Sequence, residues 1–227
     1  MLVHLTQGPR NRDSQQMRVF QPIAALPLAL LAWSMPAAAD AGVFSEVKVG
    51  VLAHDVSILG EQKEHGVDLN GELLFVSPIR DDAVAGIGEH WRWLFVPRPT
   101  VGFEANTSGY TSQIYTSLTW TVDLDDDGAL WPDHTVFFGF SFGPAYNNGR
   151  IHTTAGNRLS VGSNLLFHPV VEMGVRVTSA VSISVYFDHS SNAGLDRSNS
   201  GLDNLGMRAG LHFSSIRRSA AVADASV

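Results

Sequence analysis

The sequence predicts an all-β protein, an eight-stranded antiparallel transmembrane β-barrel, on three observations. Eight segments alternate apolar and polar residues with a period of two, the pattern of strands with one face on each side of a sheet. The polar face is rich in Gly, Ser and Thr, which suits a narrow barrel interior where side chains share space. Aromatic residues sit near segment ends (Trp91, Trp93, Phe95, Trp120, Trp131), where a membrane-interface girdle places them. The even number of segments is that of bacterial barrels. A soluble lipocalin-like binder gives the same alternation with its apolar face turned inward, and is the rival reading.

In the first segment, 43–53, Val47, Val49 and Val51 face one way and Glu46, Lys48 and Gly50 the other. In the second, Val67, Leu69, Leu73 and Phe75 alternate with Asp68, Asn70 and Glu72. The third, 98–106, is weaker. The fourth sets Ile114, Leu118, Trp120 and Val122 against Gln113, Tyr115, Ser117, Thr119 and Thr121. Val136, Phe138, Phe140 and Phe142 form a fifth stripe, and 164–176 is the sixth segment. The seventh has Val181, Ile183, Val185 and Phe187 opposite Ser182, Ser184, Tyr186 and Asp188. The eighth has Leu205, Met207, Ala209, Leu211 and Phe213 opposite Asn204, Gly206, Arg208, Gly210 and His212. Termini in the periplasm put the stretches near 56–66, 107–111, 147–162 and 192–202 outside. Those near 78–97, 124–133 and 177–179 then lie on the periplasmic side. The long 78–97 connection has no assignment from sequence.

Residues 1–39 differ from the rest. Arg10, Arg12 and Arg18 precede an apolar run from Ile23 to Trp33, and Pro36-Ala37-Ala38-Ala39 follows before Asp40. This is the pattern of a secretory signal peptide, with cleavage expected after Ala39; Met17 is an alternative start. The barrel is then expected over 40–213, with a small, polar, disordered tail over 214–227. Removing the leader's three basic residues and one acidic residue leaves twelve basic against twenty-one acidic residues, a net charge of −9. That balance argues against nucleic acid, which requires a basic footprint. No cysteine is present, which excludes disulfides, thiolate metal ligands and a thiol nucleophile.

The informative stretch is 186–213, YFDHSSNAGLDRSNSGLDNLGMRAGLHF. Counting by twos from Val181 puts His189 and Ser191 on the outward, apolar face. Counting back from Phe213 puts Asp203 there as well. Three polar residues on an apolar face are costly unless paired or interfacial. A hydroxyl, an imidazole and a carboxylate together suggest a nucleophile (Ser191), its general base (His189) and the acid that orients the base (Asp203). Asn192 and the backbone at Gly194 are the expected donors to a developing oxyanion. The bland alternative makes His189 and Ser191 interfacial polar residues of a non-enzymatic structural or adhesive outer-membrane barrel.

This stretch resembles the C-terminal signature of the lipid A 3-O-deacylase family of outer-membrane barrels. The matching residues are His189-Ser190-Ser191-Asn192-Ala193-Gly194-Leu195, then Asn199-Ser200-Gly201-Leu202-Asp203. Weaker similarity covers 97–120, 137–149 and Leu165-Leu166-Phe167. The resemblance implies a serine esterase that removes the acyl chain ester-linked at position 3 of lipid A. His189 then serves as base, Ser191 as nucleophile and Asn192 as oxyanion contributor. It implies lipid A or lipopolysaccharide as substrate, outer-membrane lipid as surroundings, and no cofactor or metal; a homodimer is left open. The acidic member in that family is Glu, so Asp203 has about 1.5 Å less reach.

Asp123-Leu124-Asp125-Asp126-Asp127-Gly128 resembles the start of a calcium loop, but position twelve is His134 where a bidentate Glu is required. A solvated turn is the expectation. The other histidines show no ligand spacing in sequence. Asp188 and Arg208 point inward on neighbouring strands and are expected to interact inside the barrel.

Overall fold

The computed structural model describes residues 42–124 and 134–213. Eight strands follow one another: β1 (Phe44–Ala53), β2 (Val67–Phe75), β3 (Arg98–Asn106), β4 (Gln113–Asp123), β5 (Thr135–Asn147), β6 (Leu165–Arg176), β7 (Val181–Ser190) and β8 (Leu202–His212). Each pairs antiparallel with the next, and β8 returns to β1, closing the barrel. Closure removes the sheet edges that would otherwise seek partners. The expected segments coincide with these strands, and β5 runs further than its apolar stripe, to Asn147. The signal-peptide assignment to 1–39, the tail at 214–227, Trp131 and most of the calcium-like stretch lie outside the described residues.

Burial settles which face points in. Glu46, Lys48, Asn70, Glu72, Glu104, Ser117, Thr119, Glu172, Ser182, Ser184 and Arg208 are all buried. Val51, Leu69, Phe103, Ile114, Phe142, Met173, Val185 and Met207 are exposed. A soluble barrel has the opposite arrangement, so the alternation seen in the sequence is that of a membrane wall. The interior is more than small residues. Arg208 lies between Glu72 (Nη1 to Oε2, 3.1 Å) and Glu172 (Nη2 to Oε2, 2.6 Å), and Lys48 Nζ reaches Glu172 at 2.6 Å. Small residues make room for this layer: a Cβ on Gly50 would stand 2.7 Å from Arg208 Cγ.

This corrects the expectation that Arg208 pairs with Asp188. Both point inward, but Asp188 stands opposite Asn204 and Arg208 opposite Ser184, so they occupy different levels. Arg208 is instead neutralised from β2 and β6, across the lumen, which neighbouring-strand parity could not reveal.

The 76–97 connection forms a 3-10 turn (Asp81–Val84), a short helix α1 (Glu89–Arg92) and a second 3-10 turn (Trp93–Phe95). It packs on the outside of the wall: Trp120 Nε1 donates to Leu94 O at 2.8 Å, and Trp120 stacks on Phe140. Trp93 and Leu94 there line an apolar cavity with Trp120, Val122, Phe138 and Phe140. The segments 54–66, 107–112, 148–164 and 191–201 gather at the opposite end, the end that carries the candidate site. Asp123, at the end of β4, pairs with Arg176 on β6.

Candidate active site

In the antiparallel register of β7 and β8, His189 stands directly opposite Asp203. Their side chains leave the same, outward face, as parity predicted. His189 Nδ1 lies 2.6 Å from Asp203 Oδ1, so the shorter Asp side chain spans the gap. With Nδ1 bonded to a carboxylate, the imidazole is oriented with Nε2 as its free nitrogen. The ring keeps 18% of its side-chain surface exposed, whereas Asp203 has none.

Asp203 is covered because the β1–β2 connection folds over it. The Leu59 and Gly60 backbone N–H groups donate to Asp203 Oδ2, the latter at 3.1 Å. Val56 N–H donates to the Asp203 carbonyl at 2.8 Å, and Asp55 N–H to Asn204 Oδ1 at 3.2 Å. Sequence reasoning missed this loop, since nothing local to Asp203 announces it. Two of its turning residues, Asp55 and Ser57, have positive φ (53° and 58°). Asp55 also accepts the Lys63 and Glu64 N–H groups at 2.8 Å each, which closes the loop on itself.

Gly201 completes the cradle behind the ring. Its φ of +70° lies in the left-handed region, and an added Cβ would stand 3.0 Å from His189 Cε1. The backbone conformation favours glycine there, and a Cβ at that distance would press the imidazole aside by a few tenths of an ångström.

Ser191 continues β7 by one residue and pairs with β6 as an isolated bridge. Phe167 N–H donates to Ser191 O at 2.8 Å, and Ser191 N–H to Phe167 O at 3.1 Å. It lies two residues from His189 on the same strand, so both leave the outward face. Its hydroxyl makes no hydrogen bond to the imidazole among the described residues. The preceding Ser190 faces inward, fully buried, with Oγ donating to Gln113 Oε1 at 2.8 Å.

The turn after Ser191 is tightly held. Asn192 is buried, and its Nδ2 donates to Val161 O (3.0 Å) and Ser198 O (2.6 Å). Its Oδ1 accepts the Gly194 N–H at 2.9 Å, and its own N–H donates to Asn199 Oδ1 at 3.1 Å. The donors of Asn192 and Gly194 are therefore engaged, and donation to an oxyanion by either would break one of these bonds. The Ala193 N–H, between them, carries no hydrogen bond among the described residues. Ala193 and Gly194 both take positive φ, 54° and 78°, which turns the peptides of this tight loop.

Apolar side chains surround the dyad. The rungs below it on β7 and β8 pair Phe187 with Leu205, then Val185 with Met207. Phe167 on β6 stacks on Phe142 with ring centroids 6.2 Å apart, and Leu195 beyond the turn is 82% exposed.

At the same end of the barrel His54 is buried between two carboxylates, Asp68 (Nδ1 to Oδ2, 2.8 Å) and Glu64 (Nε2 to Oε2, 3.2 Å). Burial pulls its pKa down, but the hydrogen bonds and charges of Asp68 and Glu64 outweigh it and raise it to about 9. Glu64, anchored by His54 and by the Thr111 and Leu159 N–H groups, is held below the usual carboxylate range despite burial. This group ties β1 and β2 to the neighbouring loops and stiffens the end of the barrel that bears the site.

A model of the lipid A 3-O-deacylase (PagL) family matches residues 101–212. That span includes His189, Ser191, Asn192, Gly194 and Asp203. Among solved structures, the outer membrane enzyme PagL superposes with a TM-score of 0.54 at 16% identity, over 74% of this chain and 99% of that one. Neisserial surface protein A (TM-score 0.44, 10% identity) covers 76% of this chain and 97% of its own. The N-terminal β-barrel domain of Pseudomonas aeruginosa OprF (TM-score 0.38, 8% identity) covers 75% and 99%. The comparison with curated proteins returned no match.

Proposed function

We propose that this chain, a barrel of the PagL-like lipid A 3-O-deacylase family, is an outer-membrane serine esterase that removes the 3-O-acyl chain of lipid A. The single observation that carries the reading is the His189–Asp203 pair at 2.6 Å, set on the outward face within the residues that match the family. An imidazole hydrogen-bonded to a carboxylate beside a serine, on a wall otherwise apolar, has a role in acyl transfer that an interfacial polar residue lacks.

Ser191 Oγ attacks the ester carbonyl as its proton passes to His189 Nε2. Asp203 holds the ring and stabilises the imidazolium, itself kept ionised by the Leu59 and Gly60 N–H groups. The tetrahedral oxyanion accepts from the Ala193 N–H, presented by the turn that Asn192 and Gly194 fix. Collapse breaks the bond to the sugar oxygen, which leaves with the proton from His189. Water, deprotonated by the same imidazole, then hydrolyses the acyl-serine and releases the hydroxy fatty acid. The acyl chain lies along Phe187, Leu205, Val185 and Met207, in the depth of the outer leaflet. A membrane substrate already presents its chain to this wall, so no enclosed pocket is needed. All the residues invoked belong to one chain, and the chemistry needs no homodimer partner and no cofactor.

The test is incubation of the purified barrel, in detergent, with 3-O-acylated lipid A. Loss of one hydroxyacyl mass, with release of the free hydroxy acid, is expected. Intact lipid A from a folded barrel would contradict the reading and favour a non-enzymatic barrel of the same fold.

A further inference from the structure

Inside the barrel, behind the wall that carries His189 and Asp203, three ionisable side chains meet: Glu104 from β3, His168 from β6 and Asp188 from β7. All are buried, and one donor atom from each lies within 4.8 Å of the others. His168 Nε2 stands 3.6 Å from Asp188 Oδ1, too far for a hydrogen bond. Glu104 is well served by neutral donors: Gln113 (2.6 Å), Asn204 (2.8 Å) and Tyr186 (3.0 Å). The other two are served less: Asp188 Oδ1 accepts only a long bond from Asn204 Nδ2, at 3.4 Å. Both ring nitrogens of His168 and Oδ2 of Asp188 are buried with no hydrogen-bond partner. No lysine or arginine pairs with either carboxylate among the described residues; the interior cations Lys48 and Arg208 serve Glu46, Glu72 and Glu172 at another level.

Two buried carboxylates and an unpartnered imidazole, with no cation to balance them, form a costly arrangement in a polypeptide alone. They form a good one around a cation. We propose that Glu104, His168 and Asp188 bind a divalent first-row transition-metal ion of the zinc class. Carboxylate oxygen with imidazole nitrogen suits zinc, manganese or cobalt better than calcium or magnesium, which favour all-oxygen shells. Bonds of about 2.0–2.2 Å require the three donors to draw inward slightly. The ion offsets the negative charge and takes up the open valences of His168 and Asp188. It also ties three strands together across the lumen. Asp188 precedes His189 and stands opposite Asn204, which follows Asp203, so the ion braces the rungs from which the candidate dyad projects. Sequence spacing could not show this site, because its donors lie 64 and 20 residues apart along the chain.

The test uses the full chain purified from membranes in detergent, stripped of metal on unfolding and refolded with excess Co2+, then desalted. One retained Co2+ per chain is expected, with visible ligand-field bands and histidine resonances shifted by the paramagnetic ion. His168→Phe and Asp188→Asn, each confirmed as folded by heat-modifiable gel migration, should lose that ion. Zn2+ should raise the unfolding midpoint of the parent barrel and leave that of either folded variant unchanged. A folded parent barrel that retains no Co2+ overturns the proposal. So does equal retention in either folded variant, which would place the ion elsewhere. If neither variant folds, the parent's shifted histidine resonances decide: their presence supports the site and their absence overturns it.

Discussion

His189 and Asp203 face each other across β7 and β8, bonded at 2.6 Å, while the Leu59 and Gly60 N–H groups hold the second carboxylate oxygen. The carboxylate is thus fixed from both sides at the length of an Asp. Asp203→Asn keeps the shape but removes the charge that supports the imidazolium, and initial rates of acyl release should fall about 10²–10⁴-fold. Asp203→Glu lengthens the side chain by one methylene and pushes the carboxylate against the loop, and the same assay should show no gain over the parent.

Gly201 sits against the imidazole with φ +70°. Gly201→Ala strains the backbone and moves His189, so stability should fall by about 1 kcal/mol or more in denaturant titration. Acyl release should drop by about tenfold to a hundredfold, since small misplacements of a reacting group are that costly. A larger effect on kcat than on KM would separate this from loss of substrate binding.

The His54 cluster makes the site-bearing end sensitive to alkali. The folded-state pKa, about 9, exceeds the ordinary value of 6.5, so its contribution is fully present below about 6.5 and is lost as the pH rises through about 9. The unfolding midpoint of the parent should exceed that of His54→Gln near neutrality. The difference should shrink steadily between those two pH values.

Arg208 is buried between Glu72 and Glu172 and lies 4.1 Å from the Tyr186 ring centroid. Arg208→Met leaves Glu72 without its cation and Glu172 with Lys48 alone. The loss in unfolding free energy should be about 3–5 kcal/mol, the range for breaking a buried pair from one side. Glu172→Gln should be destabilising in the same titration, because it leaves two cations short of a carboxylate.

Much of this was legible in the sequence, for a physical reason. A period-two pattern fixes which face each strand residue takes, and Val181–Phe187 and Leu205–Phe213 carried that parity to His189, Ser191 and Asp203. What the sequence did not disclose depends on contacts across the lumen or from distant loops. Leu59 and Gly60 reach Asp203 from 143 or more residues away, and Arg208 finds Glu72 across the lumen rather than Asp188 on the next strand. The 76–97 connection has no periodic pattern of its own and takes shape by packing on Trp120. The Nδ2 donors of Asn192 are taken by the loop carbonyls of Val161 and Ser198 and the Gly194 N–H by Asn192 Oδ1, contacts that period-two parity does not carry.

Two adjacent serines supply the most direct measurement. Ser191 leaves the outward face with His189, whereas Ser190 points inward to Gln113. Lipid A from cells expressing the parent, Ser191→Ala or Ser190→Ala, each shown to be folded in the outer membrane, is compared by mass spectrometry. The account predicts loss of one hydroxyacyl chain with the parent and with Ser190→Ala, and intact lipid A with Ser191→Ala. Deacylation that persists in Ser191→Ala, or is abolished only in Ser190→Ala, would contradict it.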